Sequence, residues 1–194
     1  MLSTEISPFP AAETNAIESR LKKVIGISGA LASGKTTVGK ILEKNGFEYS
    51  RYSLVLRKKL ESEGKEINRI NLQEYGDYVN KHKGQRWLGQ QLIKQFYNPQ
   101  TTKYLVIDGL RFLEDSAFLK EQFGNYFLHI HILTEDKVRK RRYQLVNENN
   151  VSFEIATLHE VERESELLLK KADIVIENNG TLEELEKKTI NLIK

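Results

Sequence analysis

The sequence predicts an α/β fold, a mainly parallel five-stranded sheet with helices on both faces. Three observations carry this expectation. Short apolar runs alternate with amphipathic stretches from Val24 onward. The first apolar run passes through a glycine-rich turn directly into a helical pattern. The 194 residues are 39% hydrophobic and 29% charged, a balance that suits one globular domain with a real core. Strands that alternate with helices are joined by crossovers, and crossovers cover both faces of a parallel sheet.

The elements follow in order. Val24-Ile25-Gly26-Ile27-Ser28 reads as a buried strand, and Lys35 to Asn45 as a helix with Val38, Ile41, Leu42 and Asn45 at helical spacing. Phe47–Tyr52 is the second strand expected. Ser53 to Asn98 has no strand pattern and reads as a helical insertion (about 53–98). Within it, Arg86 to Tyr97 aligns Trp87, Leu88, Leu92, Phe96 and Tyr97, aromatics better suited to a core than to base stacking. Tyr104–Asp108, Tyr126–Leu133 and Ala172–Glu177 complete the strands. A helix from Phe112 to Phe123 carries Leu113, Phe118 and Leu119. The last helix holds Leu182, Leu185, Thr189 and Leu192, and Thr181 with Glu184 fits a capping box at its start. Right-handed crossovers place the strand C-termini along one edge.

Residues 1–20 carry no apolar signal core. They are expected to form a flexible arm, turning helical near Ala11 to Lys23, ahead of a folded domain over 21–194. There is no cysteine, which excludes disulfides and thiolate metal sites and suits a reducing, cytoplasmic setting. No apolar run approaches membrane-spanning length. A net charge of +3 is too mild to imply nucleic-acid binding by itself.

Gly29-Ala30-Leu31-Ala32-Ser33-Gly34-Lys35-Thr36 fits G-x-x-x-x-G-K-[ST], a phosphate-binding loop, and Thr37 continues it into the helix. Glycines let backbone N–H groups surround a phosphate. The helix N-terminus adds partial positive charge and Lys35 a full one. Thr36 is placed to hold Mg²⁺. Asp108 ends an apolar run, where a carboxylate helps to orient Mg²⁺ or its water. Gly109 permits a sharp turn beyond the strand, so that Arg111 projects over the crevice toward a phosphate; its bland alternative is a surface pair with Glu114 or Asp115.

Lys137, Arg139, Lys140, Arg141 and Arg142 form a basic run after the fourth strand, expected within a lid at about 135–152. Phosphoryl transfer needs movable positive charge that closes over the reacting phosphate and excludes water. Arg139 and Arg142 are three apart and suited to one face. A solvated basic face or a nucleic-acid patch is the alternative. Arg57, after Leu54-Val55-Leu56, reads as an acceptor-pocket or solvated helix residue. Arg163 lies among Glu160, Glu162 and Glu164, where an intrahelical ion pair competes with a site role. His82, His129, His131 and His159 show no ligand spacing; His129 and His131 alternate on a strand and are expected to pack or face solvent.

Together these residues resemble the P-loop kinases of small phosphorylated metabolites, the nucleoside monophosphate and dephospho-CoA kinases. The nearest pattern is a branch described as dephospho-CoA kinase-like or deoxynucleotide monophosphate kinase-like. The matching pieces are the loop, Leu56-Arg57, Leu72-Gln73-Glu74-Tyr75-Gly76-Asp77, Ile107-Asp108-Gly109-Leu110-Arg111, Glu162-Arg163-Glu164, and the segment from Ala172 to Leu185. The resemblance implies a P-loop NTPase three-layer sandwich, ATP with Mg²⁺, and a small-molecule phosphate acceptor. Lys35, Asp108, Arg111, Arg139 and Arg142 are the catalytic residues it implies; Arg57, Arg111, Asp77 and Arg163 bind the acceptor. No membrane partner is implied, nucleic acid is not expected, and the chain is a monomer or homodimer.

The chain departs from the family in two places. Related kinases carry an acid two or three residues before the acceptor-helix arginine, where Leu54 stands here. Ala32 occupies a common glycine position in the loop. A missing acid matters little for a phosphate acceptor, which is already an anion and needs positioning. It matters more for a hydroxyl acceptor. The expectation is therefore phosphoryl transfer to a nucleoside or deoxynucleoside monophosphate. The alternatives are a dephospho-CoA-type hydroxyl kinase, a kinase of a modified base or nucleic-acid end, and a nucleotide-binding regulator with weakened turnover.

Overall fold

The computed structural model describes residues 20–146, 152–157 and 160–194; the side chains of Arg69 and of residues 160–163 lie outside that description. Five parallel strands form one sheet in the order β2-β3-β1-β4-β5. They are β1 (Lys23–Gly29), β2 (Glu48–Arg51), β3 (Tyr104–Leu110), β4 (Phe127–Leu133) and β5 (Ile174–Glu177). The sequence reverses direction across the sheet between β1 and its neighbours β3 and β4, the switch point where such sheets leave a crevice.

Alternation along β1 sorts the core into two layers. Ile25 and Ile27 face one side, with Val106 of β3 and Ile130 and Ile132 of β4. Helix α1 (Lys35–Lys44) covers them with Val38, Ile41 and Leu42, and the terminal helix lies beside it. On the other side, Val24, Leu105, Ile107 and Phe127 meet Phe118 and Leu119 of α5 (Leu113–Phe123). Helices α2 (Tyr52–Ser62) and α4 (Arg86–Phe96) extend that layer, and α3 (Arg69–Lys83) packs on both of them. Beyond β4 come α6 (Asp136–Val146), α7 (Phe153–Thr157) and α8 (Glu160–Lys171), the last packed on β1 and β4. Helix α9 (Leu182–Asn191) opens with the expected capping box: Thr181 Oγ1 accepts from Glu184 N, and Glu184 accepts from Thr181 N.

Several boundaries differ from the sequence expectation. Phe47 and Tyr52 lie outside β2, because Tyr52 opens α2 with its ring buried among Val55 and Leu56. β5 starts at Ile174 and β4 at Phe127, Tyr126 closing a 3-10 turn. The most consequential change is at Gly109. The third strand does not end at Asp108 in a sharp turn. It continues to Leu110 through a bulge, Ile27 pairing with Asp108 and Ser28 with Leu110. Gly109 sits at φ +92, a left-handed conformation that glycine adopts without a Cβ clash, so the extra residue is absorbed within the strand.

The 53–98 stretch holds α3, α4 and nearly all of α2. The arm expected at 1–20 lies outside the described residues except for Arg20, and so do residues 147–151 of the expected lid. Among the described residues no helix is long and apolar enough to cross a membrane.

Candidate active site

The loop 29–36 joins the C-terminal end of β1 to α1. Ala32 at φ +60 and Gly34 at φ +102 turn it through left-handed backbone. Gly34 is the N-cap of α1 and supplies no side-chain cap, and the first turn carries no acid. The first N–H groups of α1 are therefore left for an anion from outside the helix. Lys35 Nζ donates to the carbonyls of Gly29 at 2.5 Å and Ala30 at 2.7 Å, bridging the loop entry. Asn178 and Thr134 hold the loop from beneath. Both donate to the Ser33 carbonyl, at 2.8 and 3.0 Å.

Asp108 is 1% exposed, and its Oδ2 accepts from Thr36 Oγ1 at 2.8 Å and Tyr49 OH at 2.7 Å. Arg51 Nε lies 3.8 Å from the same oxygen. A hydroxyl beside a carboxylate, under a lysine and a helix N-terminus, is a donor set of hard oxygens. It fits a Mg²⁺ ion carrying nucleotide phosphates, with Thr36 and Asp108 as the protein groups beside it.

These groups open into a cleft of about 580 Å³. Lys35, Thr36 and Asp108 lie on its wall with Arg51, Arg57 and Arg111. Arg57 is exposed and makes no ion pair among the described residues. Arg111 is exposed as well. Its backbone N–H is anchored on the Asp115 carboxylate at 2.8 Å, together with that of Phe112 at 2.9 Å. Glu114, the other acid weighed as its partner, instead pairs with Arg86. Burial raises the Asp115 carboxyl to about 6, although the two N–H groups pull it down. A side crevice shares Ser53, Gln73 and Arg111 with the cleft and adds Asp77 and Asn80.

Ser53, not Leu54, lines the cleft. The helical position next to Leu54 thus presents a hydroxyl where an acid was sought. Arg139 and Arg142 part company. Arg139, 9% exposed, donates to the Leu31 carbonyl at 3.1 Å and pairs with Asp136, against the loop. Arg142 turns to the β5–α9 connection, donating to the Asn178 carbonyl at 3.0 Å. Neither arginine is part of the cleft wall. The Arg163 side chain lies outside the described residues.

His129 and His131 are buried and share one hydroxyl: Ser28 Oγ lies 2.7 Å from His129 Nε2 and 2.9 Å from His131 Nδ1. Burial lowers both imidazoles to about 4. The residues that sequence reading missed are Tyr49, Arg51, Ser53, Thr134 and Asn178. For Asn178 a signal existed, since it stands inside the family-like segment. Tyr49 and Arg51 carry none, because only the parallel register of β2 on β3 brings them to Asp108.

No protein-family model matches the chain. It is 28% identical over 172 residues to the UPF0200 protein of Methanosarcina mazei, covering 86% of this chain and 91% of that one. It is 25% identical over 196 residues to a dephospho-CoA kinase of Streptococcus agalactiae, covering 90% and 99%. A solved dephospho-CoA kinase from Campylobacter jejuni superposes with a TM-score of 0.55 at 18% identity, over 88% of this chain and 94% of that one.

Proposed function

We propose, from the premise that this chain belongs to the P-loop kinases in their dephospho-CoA kinase-like branch, that it transfers the γ-phosphoryl group of ATP to a nucleoside or deoxynucleoside monophosphate. Kinases of this family use ATP with Mg²⁺. Lys35 and the loop amides from Gly29 to Thr37 take the donor phosphates. Thr36 and Asp108 take Mg²⁺, which neutralises charge on the transferred group. Arg139, set against Leu31, adds positive charge at the loop. Arg142 keeps the Asn178–Gly180 connection in place.

One observation carries the choice of acceptor: Arg51, Arg57 and Arg111 line the cleft that Lys35 and Asp108 enter. Guanidinium groups gathered in one cleft favour an anionic ligand. A phosphate monoester dianion is one, and guanidinium groups bind it through paired N–H donors. It also needs no general base, and the start of α2 offers Ser53 rather than a carboxylate. The competing reading is a hydroxyl acceptor of the dephospho-CoA type. Two things favour it: the names of the relatives and Asp77, a carboxylate in the crevice beside Arg111.

A coupled ADP-release assay over ribo- and deoxyribonucleoside monophosphates and dephospho-CoA separates the two. The monophosphate reading expects turnover with at least one monophosphate well above that with dephospho-CoA. Brisk phosphorylation of dephospho-CoA with no monophosphate turnover would reverse the assignment. A cytoplasmic place, where free nucleotides are available, belongs to the same reading.

A further inference from the structure

We infer that Tyr49 is a positioning residue for the metal carboxylate: it fixes Asp108 so that one oxygen is committed to the protein and the other is presented to the ion. The inference rests on the kinase reading above for the identity of that ion.

The observations are geometric. Tyr49 OH, Thr36 Oγ1 and Arg51 Nε all converge on Oδ2 of Asp108, at 2.7, 2.8 and 3.8 Å. Oδ1 accepts no hydrogen bond among the described residues. A carboxylate with one oxygen bound by donors cannot rotate freely about its last torsion, and its second oxygen is left for a cation. The same donors also make the carboxylate tolerable at 1% exposure. Thr36 can keep its O–H on Asp108 while a lone pair of the same oxygen turns to a metal. Among the described residues the Tyr49 oxygen bonds only this carboxylate.

The phenol is held by two neighbours on α1. It packs on Gly39, so closely that a Cβ there would lie 2.7 Å from Tyr49 Cε2. Lys40 Nζ lies 4.0 Å from the ring centroid. The contact is also local to the chemistry: α1 carries Thr36 at its start and Gly39 one turn later, so one helix sets both the hydroxyl and the ring.

Outer groups that orient metal ligands typically change metal affinity or activity by about 10–100-fold when removed. Two substitutions in the full-length chain probe the role from different sides. Tyr49→Phe deletes the hydroxyl and keeps the ring. Gly39→Ala keeps the hydroxyl and pushes the ring, in a helix that alanine favours. Binding of Mn²⁺, the spin probe, is measured by electron paramagnetic resonance with a non-hydrolysable ATP analogue present. Analogue binding without metal is measured separately, and melting curves report folding.

Tyr49→Phe is expected to weaken Mn²⁺ by roughly tenfold, while metal-free analogue affinity stays within about twofold. Gly39→Ala is expected to shift Mn²⁺ in the same direction. The Mg²⁺ concentration for half-maximal turnover should rise alongside. Unchanged Mn²⁺ affinity in a folded Tyr49→Phe protein overturns the assignment. Equal weakening of metal and metal-free analogue also overturns it, since that marks a distorted loop. A wild-type chain that binds neither analogue nor Mn²⁺ overturns the kinase reading together with this one. Metal binding without kinase turnover leaves Tyr49 testable and fails only the kinase reading.

Discussion

Thr36 and Asp108 stand 72 positions apart in the chain and share a hydrogen bond of 2.8 Å. One opens α1 and the other lies near the end of β3, the neighbour of β1 in the sheet. Their meeting joins the phosphate loop to the strand carboxylate, and the arginine-lined cleft opens from that junction. The predictions below test what each side of the junction does.

Lys35→Met is expected to remove phosphoryl transfer while the fold stays intact. Lys35 bonds two loop carbonyls, of Gly29 and Ala30, and it is only half-buried, so water can replace it there. The stability cost should be about 1 kcal/mol. Melting curves set beside turnover with the best acceptor check this. Wild-type turnover in a folded Lys35→Met protein would exclude loop-based phosphoryl transfer.

Arg57→Ala and Arg111→Ala should each weaken the acceptor by roughly 10–100-fold, the worth of a charge-assisted phosphate contact at about 1.5–3 kcal/mol. ATP affinity should move little, because neither residue belongs to the loop. Titrations with each ligand alone provide the comparison. Arg57 is the cleaner probe: Arg111 sits next to the Asp115-capped start of α5, while Arg57 makes no ion pair among the described residues.

Arg139→Ala and Arg142→Ala should differ in kind. Arg139 is buried against Leu31 and Phe153, so its loss should lower both turnover and melting temperature. Arg142 donates to carbonyls of Asn178 and Gly180, and Asn178 in turn supports Ser33. Its loss should loosen nucleotide binding more than the chemical step. Neither variant should show salt-sensitive oligonucleotide binding. Affinity for short DNA or RNA that falls steeply with salt would point to a nucleic-acid surface instead.

Stability should fall as pH drops from 7 toward 4. His129 and His131 titrate near 4 in the folded chain against 6.5 unperturbed. Between those values the unfolded chain binds protons that the folded chain refuses, so stability is lost on acidification. Asp115 acts oppositely. Burial raises it to about 6 from 3.8, so the folded chain takes its proton first and gains stability over the same window. Two histidines outweigh one carboxyl, for a net loss of about 3 kcal/mol. Melting temperature against pH measures it. His131→Asn should flatten the slope and Asp115→Asn should steepen it.

Ser53→Asp tests the hydroxyl route. A carboxylate in the cleft wall should raise any trace activity toward dephospho-CoA more than activity toward monophosphates, since a general base contributes about 10²–10⁴-fold only where a proton must leave. Leu54→Asp, half-buried and off the cleft wall, should cost stability without that gain. Assays of both acceptor classes on both variants check the contrast.

By itself the sequence determined what is local. The loop from Gly29 to Thr36 is a contiguous motif, and its chemistry follows from glycine backbone freedom and one lysine. Period-two and helical spacing placed β1, β3, α1 and α5, and Thr181 with Glu184 announced the start of α9, because each of these signals acts within one or two turns of chain. Where elements end was less legible. Tyr52 would serve a strand or a helix equally, and burial against Val55 and Leu56 chose the helix. The tertiary structure alone decided the rest. It let β3 run past Asp108 through a bulge at Gly109, since pairing with β1 continues to Leu110. It set Tyr49 and Arg51 of β2 beside Asp108, through a parallel register that no local spacing encodes. It turned Arg139 to the loop and Arg142 to Asn178, although both lie three residues apart on one helix. Groups 36 to 108 residues apart meet only when strands pair and helices pack, and in this chain those meetings built the site.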